Sequence, residues 1–461
     1  MKFSPAGRLI LAAVFGMLAV PGHAQSLADA MVDSYRHSAL MDQNRAVLRA
    51  ADEDVASAVA RLRPVLQWTA GHTYREVQGI ESATTTLSLG AEMTLYDWGR
   101  GALAVDRTKE AVLAARAGLV GVEQDVLLTA TSAWFQVRQA MEQVALQSNS
   151  VRVIQQERQA AQDRFDVGEI TLTDVSLADA RLAAARAQQA AAAGQLEVAR
   201  EVFRGATGDT AGDLAAPPRL PDLPDSVDGA RGIAQRTHPA IRQAQHQAAA
   251  SELAVASAVA ERNPIVRGNA GISAQRAPDS RTGRGNVTGG TSVGIEMSQT
   301  LYSGGLLSSQ HRQAMAQRDQ ARAGLLQVSR QVSEAVGTAW ANIAVARAQI
   351  GAIDQQISAA QQAYDGVREE VTLGARTTLD VLDAEQSLLE ARADRITAEA
   401  NLQLAHYQLL AAMGLLTVEN LKLGIPTYYP TEYYNAVRDA PFTSRQGENL
   451  DRVLRAIGKG D

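Results

Sequence analysis

The sequence predicts an α+β membrane protein built from one duplicated unit, a β-hairpin set between a short helix and a long helical hairpin. Three observations lead there. Leu95-Tyr96, Trp134 and Gly168 return 206 residues later as Leu301-Tyr302, Trp340 and Gly374, and SAVARLRP at 57–64 returns 200 residues later as SAVAERNP. An internal period of that size marks one composite architecture rather than separate domains. Each copy carries a proline-free, helix-forming run of about 70 residues, which at 1.5 Å per residue is ~100 Å long. Each copy also holds two stretches in which apolar and small polar residues alternate with the period of a strand.

The first 24 residues read as a secretory signal: Lys2 and Arg8, an apolar run from residue 9 to 20, then Pro21-Gly22-His23-Ala24 before Gln25. That run is too short to span a bilayer. Residues 25–204 form the first repeat, 205–229 the linker, 230–415 the second repeat and 416–461 a tail without counterpart. Each repeat opens on a helix, expected over 26–63 in the first, which Pro64 should stop. In the first hairpin Leu66, Trp68, Ala70, His72 and Tyr74 share one face, as do Leu87, Leu89, Ala91, Met93 and Leu95. The second pairs 266–275 with 292–301. Its loop, around 278–286, must be about six residues longer, because the offset grows from 200 to 206 across it. The glycines of 283–289 join strand to strand with no helix behind, so they make a hairpin loop rather than a phosphate cradle.

Long helices follow over 98–167 and 306–373, then shorter ones over 171–204 and 377–413. Between them lie two tight tips. Gly168 and Gly374 end the long helices, and Thr171 and Thr377, each three residues before an Asp, start the short ones with capping-box chemistry. Pro217, Pro218, Pro221 and Pro224 mark the linker. The tail carries Tyr428-Tyr429-Pro430-Thr431-Glu432-Tyr433-Tyr434 and a short helical pattern at 449–457. Trp134 and Trp340 are expected to pack in a core where the shorter elements wrap the rods.

A net charge of −6, about −8 once Lys2 and Arg8 leave with the signal, argues against nucleic acid as a partner. With no cysteine there is neither a thiolate metal site nor a thioether anchor. Seven scattered His, no nucleophile elbow and no HExxH argue against an enzyme, and nothing implies a cofactor or a metal. Four amphipathic strands flanked by Trp68, Tyr74, Tyr96, Trp98 and Tyr302 suit an outer membrane and its interfacial girdles. An open four-stranded sheet leaves edge groups unpaired in lipid at several kcal/mol each, and single-chain barrels begin at about eight strands, so copies must associate. Glu92 and Glu296 lie on the polar strand face, placed either to line a lumen or at a hydrated strand end. The alternative is a periplasmic coiled-coil scaffold without a pore, which would dissolve without detergent.

The duplicated Leu-Tyr strand ends, the tip GARTTLDVLDA at 374–384 and the tail YYPTEYYNAVR resemble the TolC family of outer-membrane channel-tunnels, and within it the type I secretion members. The resemblance covers the whole mature chain. It implies a homotrimer with a 12-stranded barrel in outer-membrane lipid and a periplasmic helical barrel closed at the tips. It further implies a periplasmic adaptor docking on those tips and an inner-membrane ABC or RND transporter, with multidrug efflux as the alternative to protein or toxin secretion. Threefold symmetry would gather Asp380 and Asp383, which lie on one helix face, into two carboxylate rings. The resemblance assigns them an acidic, cation-binding constriction. Asp383 occurs in one repeat only, its mate being Leu177. Arg376, whose mate is Ile170, is implied to latch onto Thr173 and Asp174 in the other repeat's tip. Two departures stand out. His238-Pro239 and Ser38-Ala39 replace the frequent Asn-Pro, and Val371 stands where some members place a Tyr.

Overall fold

The computed structural model describes residues 24–77, 80–278, 285–426 and 428–456. The expected signal up to residue 23 and the tip of the longer hairpin loop, 279–284, lie outside the described residues. In chain order the elements are α1 Leu27–His37, α2 Ala39–Ala60, β1 Val65–Val77, β2 Ile80–Tyr96, α3 Arg100–Asp166, α4 Leu172–Thr207, α5 Val227–Thr237, α6 Pro239–Ala260, β3 Ile265–Pro278, β4 Gly285–Ser298, α7 Leu306–Thr372, α8 Thr378–Ala412, α9 Pro430–Val437 and α10 Arg445–Ala456.

The duplication is kept element by element, with one refinement. The helix expected over 26–63 is two helices, because Ser38 adopts an extended backbone and its hydroxyl caps α2 by accepting from Met41 N at 3.2 Å. His238 does the same for α6, its Nδ1 accepting from Ala240 N at 3.2 Å, while Pro239 fills a first-turn position that needs no N–H. Both departures from Asn-Pro thus preserve a helix N-cap. Burial keeps the His238 pKa below the ordinary histidine value, which favours the neutral, accepting ring. The linker is shorter than expected, because α4 continues to Thr207 before Gly208 ends it.

The sheet runs β1-β2-β3-β4, every neighbour antiparallel. Ser88 stands opposite both Thr69 and Ser273, which puts Gln67, Thr69, Ser88, Gly90, Glu92, Asn269 and Ser292 on one face. Those residues line a concave polar surface enclosing about 620 Å³. The opposite face presents Trp68, Leu87, Leu89, Ile272, Val293 and Ile295 to the outside, with Val293 83% exposed. β1 and β4 are the edges.

α3 and α7 are 67 residues each, rods of ~100 Å that start after left-handed Gly99 and Gly305. The core lies halfway down them. There Trp134 of α3, Phe203 of α4, Met41 and Leu48 of α2 and Leu409 of α8 are fully buried, at 1% exposure or less. Trp134 meets the expectation of core packing, whereas its repeat-mate Trp340 is only half-buried. Trp134 Nε1 donates to the Gln25 carbonyl at 3.3 Å, and Gln25 is itself bridged to Leu214 of the linker. The tail returns along α2. Tyr433 donates to Glu53 at 2.7 Å, Arg116 lies 4.8 Å from the Tyr434 ring centroid, and Arg63 bonds the Asp439 and Ala440 carbonyls.

Candidate functional site at the helical tips

Each long helix ends in a Schellman turn. Gly168 N donates to Phe165 O and Glu169 N to Arg164 O, both at 2.9 Å; Gly374 N donates to Val371 O at 3.1 Å and Ala375 N to Glu370 O at 2.9 Å. The pattern needs a left-handed residue after the helix, and Gly168 (φ 83°) and Gly374 (φ 74°) supply it. Four residues later the short helices open with capping boxes. Asp174 Oδ2 accepts from Thr171 N at 3.0 Å and Oγ1 at 2.8 Å, and Asp380 Oδ2 accepts from Thr377 N and Oγ1, both at 2.8 Å. These bonds, aided by Arg376, hold the Asp380 carboxyl below the usual carboxylate range. The expected turns at Gly168, Thr171, Gly374 and Thr377 are therefore all present.

The expected latch is not made within one chain. Arg376 Nε bonds Glu370 Oε2 at 3.1 Å, and its Nη1 lies 3.9 Å from Asp380 Oδ1. Those carboxylates flank the same turn, residues 373–377, within reach of the side chain. Thr173 is exposed at the neighbouring tip, and Asp174 is engaged in its own cap.

Asp383 is not alone either. Arg181, on α4 of the other repeat, places Nη2 2.5 Å from Asp383 Oδ1. This partner was missed in the sequence, although the signal was there: Arg181 has Ser387 as its repeat-mate, a base present in one repeat only.

Above the tip, α8 packs along α3 in a polar seam. Gln139 Nε2 donates to Thr397 Oγ1 and Gln143 Nε2 to Ala393 O, both at 3.1 Å, and Arg368 of the adjoining α7 lies 3.7 Å from Glu157 of α3. Within the seam Ser150 Oγ donates to Glu385 Oε1 at 3.2 Å. Glu385 is only 7% exposed and its second oxygen has no partner. Burial above all, then Glu157, pushes its pKa up to about 7 against the opposing Ser150 bond and Arg392. Val371 joins Tyr364, Val381 and Leu388 in an apolar cluster at the end of α7.

Among the described residues no helix is long and apolar enough to cross a membrane. A sheet with an apolar outer face, a polar concave face and open edges, mounted on long rods with capped tips, defines a subunit of an outer-membrane channel. The sequence pattern described as "Outer membrane efflux protein" matches residues 33–209 and 231–415, one match per repeat, and the chain belongs to that family. It is 31% identical to the outer membrane efflux protein BepC of Brucella suis over 91% of this chain and 92% of BepC. Identity to the outer membrane protein TolC of Escherichia coli is 26%, covering 81% of this chain and 78% of TolC. The proteases secretion protein PrtF of Dickeya chrysanthemi is 26% identical over 83% of this chain and 87% of PrtF. Crystal structures of CusC superimpose with a TM-score of 0.75 at 18% identity, covering 85% of this chain and 92% of CusC. The protein resides in the outer membrane, its helical portion in the periplasm.

Proposed function

We propose that this protein is the outer-membrane exit duct of a type I secretion system, a passive trimeric conduit loaded by an inner-membrane ABC transporter through a periplasmic adaptor. The observation that carries the duct is the sheet: its apolar face is uncovered, its polar face is concave and both edges are open. Threefold association joins β4 of one copy to β1 of the next and closes twelve strands around a wet lumen, satisfying edge groups that lipid cannot. Arg267 at 3.7 Å from Glu92 keeps the concave face charged yet balanced.

Protein cargo rather than drugs is supported by the likeness to a protease-secretion protein and by the Tyr-rich tail, which is built into the α2 and α3 surface. Multidrug efflux is the competing reading, favoured by the likeness to BepC. Asp380 and Asp383 then surround the constriction at the closed end, with the tip turns as the adaptor's docking surface. Since Arg376 does not reach Thr173 or Asp174 in its own chain, the latch we propose acts between neighbouring copies.

Purified protein in planar bilayers tests the duct: detergent-extracted trimers that conduct ions are expected, and a monomer soluble in plain buffer that conducts nothing refutes it. Deletion in the native host separates the cargoes. Loss of an exported protein with unchanged drug susceptibility supports secretion, and the reverse assigns the duct to efflux.

A further inference from the structure

We infer that Arg181 sets the ionic selectivity of the constriction by neutralising Asp383, so that the closed end presents one net ring of carboxylates, at Asp380, instead of two. The inference rests on the reading of Asp380 and Asp383 as the constriction. Its structural basis is independent of that reading. Arg181 reaches across from α4 to α8 and bonds Asp383 Oδ1 at 2.5 Å, in an exposed pair with the two side chains 43% and 57% accessible.

The duplication shows that this pair is no requirement of the fold. Positions 177 and 181 of the first repeat correspond to 383 and 387 of the second, so Leu177 stands for Asp383 and Ser387 for Arg181. Each repeat folds with an uncharged residue where the other carries the charge. Ser387 is spent on its own helix, its Oγ donating to the Asp383 carbonyl at 3.0 Å. Acid and base therefore meet once per chain, between the two hairpins.

The two rings are unequal as a result. Asp380 spends Oδ2 on its cap and stands 3.9 Å from Arg376, which is also drawn to Glu370 at 3.1 Å and so is shared. Asp383 has an arginine in direct contact. In a threefold assembly three guanidinium groups then face three Asp383 carboxylates, which relieves the like-charge repulsion a second bare ring would suffer.

Cation/anion permeability ratios and block by lanthanum chloride, measured on full-length channels at low salt, test this, because exposed charges are screened at high salt. Arg181→Gln is expected to raise both the cation preference and the affinity for La³⁺ several-fold. Asp383→Asn, which strands the arginine, should lower both, and the double variant Arg181→Gln with Asp383→Asn should return to wild-type values. Wild-type behaviour of Arg181→Gln overturns the inference if Asp380→Asn with Asp383→Asn still abolishes cation preference. If that paired substitution also changes nothing, the constriction reading falls, and the inference with it.

Discussion

Replacing Glu385 with Gln should stabilise the protein above neutral pH and do almost nothing in acid. Glu385 is 7% exposed with one unpartnered oxygen, and its pKa rises from 4.5 to about 7. Each pKa unit is about 1.36 kcal/mol, so the shift corresponds to roughly 3 kcal/mol per chain. The sign follows from which state holds the proton. A carboxyl with a raised folded pKa binds its proton more tightly in the folded state. Stability therefore falls as pH rises from the unfolded value of 4.5, and the loss is complete above about 7. Gln keeps the shape and the capacity to bond Ser150 but never ionises. Thermal unfolding of detergent-solubilised protein, followed by circular dichroism from about pH 4 to about pH 9, should give curves for wild type and Glu385→Gln that coincide in acid and separate by about pH 8. A difference that stays constant across that range would show that Glu385 titrates alike in the folded and unfolded states, and would refute the reasoning.

Trp134→Ala should cost roughly 3–5 kcal/mol in denaturant unfolding, and Trp340→Ala distinctly less, because only Trp134 is fully buried and bonded to Gln25. Equal losses would contradict the asymmetry between the repeats. Gly414 has φ 76°, and a Cβ there would come within 2.7 Å of His238 Cα, so Gly414→Ala should lose more than the ~1–2 kcal/mol of a left-handed backbone alone. An unchanged unfolding midpoint would mean the junction of α5 and α6 yields. Tyr433→Phe removes the 2.7 Å bond to Glu53, worth about 1 kcal/mol, and should speed tryptic cleavage after Arg438; unchanged cleavage would show that the clasp is held elsewhere.

The order of elements, the tip turns and the amphipathic strands were legible because they rest on local rules. A Gly-x-x-Thr-x-x-Asp pattern specifies a Schellman turn and a capping box wherever it occurs, and period-two alternation sorts a sheet's faces without knowledge of its neighbours. Duplication multiplied the signal by showing each rule twice. The break at Ser38 was missed because serine also tolerates a helix interior, and only its extended backbone turns it into a cap.

Tertiary structure decided the partners. Arg376 bonds the acids of its own turn, Asp383 meets Arg181 across 202 residues of chain, and Glu385 is sealed between α3 and α8. Charge interactions depend on distance and burial, and both are set by how the rods lie against each other. Sequence alone determined what each segment becomes; packing determined which charges face one another, because that is a property of two surfaces and is written in neither one.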